Sequence, residues 1–258
     1  QETGHPWPDS QKSGFHAGTD PMQIRPVLVA LKKHRLATIL IALEIALACA
    51  VLCNAVFLIA NRLSAMNINS GVDEASLGAI VVTGFDPKQT KDLNARMTAG
   101  IGAIAGVESV HAISSVPFGP QWGISGMTLD QAGKHPGAVV EFYGGSPGTP
   151  EALGLKLVAG QLPAAGDYQP LPGQDYFPAS SRVLVTRALA KKLWPGESAL
   201  GKQFWAAKWQ FRVIGVVANL SVSQYTENGE QGAEWCVFLP THPGGQLAGT
   251  YLIRAAPQ

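Results

Sequence analysis

Charge is scarce in this sequence. Lysine and arginine number 19 against 18 aspartates and glutamates, a formal net charge of +1, and charged residues make up only 14% of the 258. Such a chain offers no basic surface for nucleic acid and carries no acidic tail, so nucleic acid is not expected as a partner. Cysteine is scarcer still. Cys49, Cys53 and Cys236 are an odd count without paired spacing in the folded part, which argues against a disulfide framework or a zinc site and leaves the redox compartment open. The six histidines, His5, His16, His34, His111, His135 and His242, include no pair three or four residues apart, so helical metal-ligand spacing is absent. Ser125, in Gly123-Ile124-Ser125-Gly126, lacks the spacing of a nucleophile elbow and reads as a loop serine. With no recognisable nucleophile and base, an anchored hydrolase is the weakest of the function classes, and the chain is not expected to be an enzyme.

What the sequence does hold is one long apolar run. From Leu36 to Ala60 it reads LATILIALEIALACAVLCNAVFLIA, with Glu44 its only charge. A bilayer requires about 20 such residues, so the run is expected to be a transmembrane helix. Arg25, Lys32, Lys33, His34 and Arg35 precede it, whereas Arg62 and then Asp73 and Glu74 follow, which places the N-terminal side in the cytoplasm by the positive-inside rule. The competing reading is a cleaved signal peptide, with Ala48-Cys49-Ala50 resembling a cleavage site. Its apolar core would span about 7 to 15 residues, however, and here the run continues well past Ala50. Neither Cys49 nor Cys53 has leucine at the third position back, which argues against a lipoprotein.

Within the span, Glu44 has two readings: a proton relay or substrate contact, or a carboxyl that is neutral or reaches the headgroups while packed on a neighbouring helix. Ala42, Ala46 and Ala50 form a small-residue stripe that lets another helix approach closely. Cys49 and Cys53 read as small packing residues.

Beyond the span the pattern changes to that of a globular domain. Residues 1 to 22 lack hydrophobic periodicity and read as a disordered extension, and 23 to 35 as a basic cytoplasmic lead-in. Leu77 to Thr83 is expected as a strand, Lys88 to Ala105 as an amphipathic helix on Leu93, Met97, Ile101 and Ile104, and Val107 to Val116 as a second strand, an order that suggests an α+β or βαβ unit. Phe118 to Gly148 is rich in glycine and proline around a strand at Ala138 to Tyr143, and Leu162 to Pro178 has the makings of a long surface loop. Val183 to Thr186 is expected as a strand, Arg187 to Leu193 as a helix stopped by Trp194-Pro195-Gly196, and Phe211 to Ala218 as a buried strand. Cys236 to Leu239 and Tyr251 to Arg254 are short strands expected to complete the first sheet. Trp194, Trp205 and Trp209 read better as core or interface anchors than as a substrate surface.

One stretch imitates a phosphate-binding loop: Gly196-Glu197-Ser198-Ala199-Leu200-Gly201-Lys202-Gln203 fits the pattern until Gln203 replaces the magnesium-binding hydroxyl. It also follows a helix and leads into the strand-like Phe204 and Trp205, the reverse of the order a phosphate loop needs. Its glycines are expected to close the helix and make a turn.

Several phrases in order, Gly106-Val107-Glu108-Ser109-Val110 with Ser115-Val116-Pro117, Leu153-Gly154-Leu155-Lys156-Leu157-Val158-Ala159-Gly160, Val185-Thr186-Arg187-Ala188-Leu189-Ala190-Lys191-Lys192-Leu193-Trp194-Pro195-Gly196, Leu200-Gly201-Lys202 and Val213-Ile214-Gly215-Val216-Val217, resemble the MacB-like periplasmic core of FtsX-type ABC permeases. The resemblance runs from about Pro26 to Arg254. It departs at Thr149-Pro150-Glu151, where the family commonly has an aromatic, and at Gln161, where it has arginine.

The resemblance implies an α+β fold class: one N-terminal transmembrane helix (36–60), then a two-lobed mixed α/β extracytoplasmic domain (61–258), lobe 1 at about 77–145 and 219–258 and lobe 2 at about 146–218. It implies a permease subunit in the inner membrane that dimerises with itself or a related chain and works with a cytoplasmic ABC ATPase. That partner would bind ATP, and this chain would need no cofactor of its own. Complete members carry three more membrane helices, so the sequence is expected to be partial. Arg25, Lys32, Lys33, Arg35 and Glu44 are the candidates for membrane placement and coupling. The competing function is a single-anchor extracytoplasmic binding or chaperone module that needs no ATPase.

Overall fold

The structure is a computed structural model that describes residues 35–66, 70–171, 177–223, 232–243 and 247–256. The chain divides into two units, Gln1–Leu63 and Ser64–Gln258.

Helix α1 (Arg35–Met66) holds the described residues of the first unit and runs three residues beyond it. Apolar residues occupy every side of it, so it has no polar face to turn toward water. Its window Arg35–Ala60 is 26 residues long, about 39 Å at the α-helical rise, and is long and apolar enough to cross a membrane. None of that window is buried by protein. Leu36, Ile39, Leu47 and Phe57 all stand out from the helix, an arrangement costly in water and favourable in lipid.

The second unit contains two sheets among the described residues. The smaller has the order β1 (Leu77–Val81), β11 (Thr250–Ala255), β2 (Val107–Ala112), with both neighbours antiparallel to β11. Helix α2 (Thr90–Gly102) links β1 to β2, so the expected strand, helix, strand unit is present, with the distant β11 inserted between its strands. Met97 and Ile101 of α2 pack with Val110, Ala112 and Tyr251. The buried Asn94 locks this layer: its side chain donates to the Leu247 carbonyl and accepts from the Tyr251 hydroxyl, each at 2.8 Å.

The larger sheet runs β4 (Pro136–Gly145), β3 (Gly123–Thr128), β8 (Gln203–Ala206), β9 (Trp209–Val217), β7 (Ser180–Thr186), β10 (Cys236–His242), β6 (Gln169–Pro170), with β5 (Leu157–Gly160) paired to β9. A further pairing of β10 with the second half of β4 closes this path on itself. Side-chain alternation then separates two cores. Phe142, Val183, Phe204, Phe211, Val213 and Val237 point to one side, under helix α4 (Arg187–Leu193) with its buried Leu189 and Leu193. Tyr143, Leu184, Ile214 and Phe238 point to the other, where Ile113, Leu153 and Leu252 cover them. Leu153 follows the short helix α3 (Thr149–Ala152).

Three expectations require correction. Ser125 is not a loop residue: it lies in β3, paired with Val140 of β4. Cys236 to Leu239 does not complete the first sheet: β10 pairs with β4 and β7 in the larger one, and only Tyr251 to Arg254 joins β1. The proline-rich stretch Leu162 to Pro178 is not merely a surface loop, because Asp167, Tyr168 and Phe177 are buried. Strands β3 and β4, within the segment assigned to lobe 1, hydrogen-bond in the larger sheet together with β7 to β9 of lobe 2.

Candidate functional site

Of the residues singled out on the membrane side, Arg25, Lys32 and Lys33 lie outside the described residues. Arg35 opens α1, and Glu44 lies nine residues on, about 14 Å along the axis and half a turn round, so the structure does not bring the two together. Glu44 is exposed on α1, as are the free thiols of Cys49 and Cys53. Ala42, Ala46 and Ala50 share a face of the same helix.

The geometry of the folded unit points instead to Ser70 to Ser76, the described residues that follow α1. The buried Ser70 offers its carbonyl to the Ser221 amide at 2.9 Å. Gly71 has φ +80°, and a Cβ there would lie 2.4 Å from the Asn219 carbonyl oxygen, so only glycine passes this point unstrained. The Asp73 amide donates to the Leu153 carbonyl at 3.1 Å. Its carboxylate accepts from Arg254 Nη2 at 2.9 Å and from the Ser76 hydroxyl at 3.1 Å. Arg254 also donates from Nη1 to the Ala152 carbonyl at 2.8 Å and lies 3.6 Å from Glu108. Individually such partly exposed ion pairs contribute about 0–1 kcal/mol, but here they combine with backbone bonds to fix one segment on β11, α3 and the 219–221 loop.

Beside this segment lies a cleft of about 510 Å³ lined by Val72, Leu77, Val116, Phe118, Leu153 and Leu252 among others. Phe118 is 54% exposed and has φ +62°, an uncommon backbone state for a bulky residue. The lining is largely apolar, with no nucleophile and base paired in it. Such a cleft has room for an apolar group.

The phosphate-loop imitation behaves as expected of a turn. Gly196, at φ +80°, follows α4 closely, the segment runs into β8, and Lys202 is ion-paired with Glu197 at 2.6 Å. His111 is held by the Pro147 carbonyl at 2.9 Å, and burial lowers its pKa. Among the described residues no group of three His, Cys, Asp or Glu side chains is placed to hold a metal.

Glu141 gave no signal in the sequence, because it sits in an otherwise ordinary strand pattern. It is 1% exposed, its Oε2 accepts from the Ser223 amide at 2.8 Å, and its Oε1 has no partner. Burial, only partly offset by the Ser223 amide hydrogen bond, raises its pKa above the ordinary 4.5. The unfolded chain therefore ionises first as pH rises, and the fold loses stability from the ordinary carboxylate range up through the folded-state value. Glu141→Gln is expected to raise the melting temperature at about pH 8 and to give no gain at about pH 4. Melting curves at the two pH values check this, and an equal shift at both would show that the ionised carboxylate is not the cause.

No protein-family model matches the chain, and no curated protein matches it. Among solved structures it is similar to the periplasmic region of MacB from Actinobacillus actinomycetemcomitans, with 18% identity over 73% of this chain and 78% of that one and a TM-score of 0.47. It is also similar to the extracellular domain of the noncanonic ABC-type transporter YknZ from Gram-positive bacteria, with 17% identity over 70% of this chain and 84% of that one and a TM-score of 0.43.

Proposed function

We propose that this chain belongs to a permease subunit of an ABC transporter of the MacB/FtsX type, in which ATP hydrolysis on a separate cytoplasmic subunit moves a domain on the far side of the membrane to export or extract a substrate. The observation that carries the reading is α1: a 26-residue apolar window with no buried side, followed by a separately packed α+β unit. The ordered family phrases support it independently, running through β2, β5, β7, α4 and β9.

Arg25, Lys32, Lys33 and Arg35 would hold the N-terminal side of α1 in the cytoplasm. Displacement of the helix would reach the folded unit through Ser70 to Asp73, and the bonds to Ser221, Leu153 and Arg254 make that segment a fixed lever arm. The phosphate-loop-like stretch forms a turn held by the Lys202–Glu197 ion pair, and in this reading ATP would bind a separate subunit. A permease dimer would follow from the same architecture.

The test is affinity purification of the full-length protein from its native membranes, with nucleotide hydrolysis measured on the eluate. Copurification of an ABC ATPase whose turnover changes when the permease is present is the expected result. A protein that purifies alone and binds its ligand equally well without ATP would make it a single-anchor binding or chaperone module.

A further inference from the structure

The larger sheet has one face that changes character along its length. At one end Leu184 and Ile214 are covered by Leu153 and its neighbours. At the other end the same face continues through Arg182 and Ser180 on β7, Arg212 and Gln210 on β9, and Gln203 on β8. Arg182 is the direct cross-strand partner of Arg212, and Arg212 of Gln203, so three polar side chains form a row across neighbouring strands, about 5 Å apart. The row is part of the lining of a concavity of about 810 Å³, bounded by Gly160 and Gln161 on one side and Leu200 and Gly201 on another. No aspartate or glutamate is among its lining residues.

The two arginines are in different states. Arg182 is braced by Asp167 at 3.0 Å, a carboxylate with 3% side-chain exposure whose other oxygen accepts from the Ala164 amide at 2.8 Å. Arg212 has no ion-pair partner among the described residues. Like charges placed directly across strands repel, and Asp167 offsets only one of the two. Arg212 Nη2 lies 4.0 Å from the position a Cβ would occupy at Gly201, which places the end of the guanidinium beside that turn.

We propose that this concavity is an oxyanion site, in which Arg212, with Arg182 and Gln203 beside it, holds a phosphate group of a small polar molecule or of a lipid headgroup. The guanidinium fork of Arg212 supplies two parallel donors to such a group, and the glutamine amides supply both donors and acceptors to the hydroxyls or amides around it. The volume is ample for the anion together with the scaffold that carries it. This site shares no lining residue with the cleft beside Ser70 to Ser76 and does not depend on ATPase coupling.

Calorimetric titration of the full-length chain in a neutral detergent tests it, with inorganic pyrophosphate as one probe and dihexanoylphosphatidylglycerol, below its micellar concentration, as the other. Saturable binding of pyrophosphate points to a free anion, and binding of the lipid alone points to a headgroup. With either probe, Arg212→Gln is expected to weaken binding by roughly tenfold or more and Arg212→Lys to restore part of it, which a folding defect would not do. Lys202→Gln, a charge change at the Glu197 ion pair outside the row, is expected to leave affinity unaltered. Absence of saturable binding by both probes overturns the site. So does an Arg212→Gln variant that binds as the parent does, or a Lys202→Gln variant that weakens binding as much as Arg212→Gln.

Discussion

Phe211→Ala is expected to lower the unfolding free energy of the folded unit by about 3–5 kcal/mol, the range for removing a large buried ring from a packed core. The ring is fully buried on β9. It stacks on Phe204 at 5.1 Å with planes 16° apart, and it meets Phe142 at 5.1 Å and Phe177 at 5.4 Å. These side chains come from β8, from β4 and from the stretch before β7, so the cavity left behind would have walls on several elements, and no one of them can collapse alone to fill it. Urea unfolding followed by far-ultraviolet circular dichroism and by tryptophan fluorescence checks the prediction. Phe211→Leu, which keeps most of the volume, should cost much less. A loss under about 1 kcal/mol for the alanine variant would mean that this aromatic cluster is not the centre of the core.

The second large effect concerns α1. Leu47→Arg combined with Leu52→Arg is expected to abolish stable membrane integration, because each arginine near the centre of a span costs about 2.5–3.5 kcal/mol on insertion scales. The pair, five residues apart, sits on different sides of the helix, so no single polar partner can shelter both. Alkaline extraction of membranes should release the double-arginine protein while the matching double-alanine protein stays in the pellet. An N-terminal epitope that remains on the membrane-bound parent protein would separate a retained helix from a cleaved leader. If the arginine variant also resists extraction, α1 does not lie in lipid.

Legibility in the sequence followed the range of the interactions that decide each element. Helix α1 needed only composition. Helix α4 keeps its expected limits, Arg187 to Leu193, because local signals set them: the Thr186 hydroxyl caps the start by accepting from the Leu189 amide at 3.4 Å, and Trp194-Pro195-Gly196 stops it. Strand β3 was hidden by its two glycines, which have poor strand preference and are held by pairing with β4. Phe177 and Tyr168 lay in a stretch whose prolines suggested an exposed loop, and long-range packing overrides that pattern. The sheet that β10 joins was open because its partners, β4 and β7, are distant in sequence and alternation does not reveal pairing. The role of Ser70 to Asp73 was invisible for another reason. Their hold on the domain is made largely by backbone groups, at Ser70, Asp73, Leu153 and Ser221, and main-chain bonds leave no motif. Arg182 and Arg212 become neighbours only through the register of β7 with β9.

The pairing of Leu77 with Arg254 has a mechanical meaning. The polypeptide enters the smaller sheet at the start of β1 and departs it near the close of β11, at the same end of two adjacent antiparallel strands. A tug applied to both ends in one direction loads no rung between them, and the sheet travels as a stiff handle. A tug that separates the two ends peels the ladder open one rung at a time, like a zipper, which takes far less force than sliding all rungs at once. The Arg254 guanidinium, gripping Asp73 and the Ala152 carbonyl at that very end, is the stop on the zipper. Two pulls of equal strength would thus have opposite results, a rigid shift of the sheet or its release, with direction alone choosing between them.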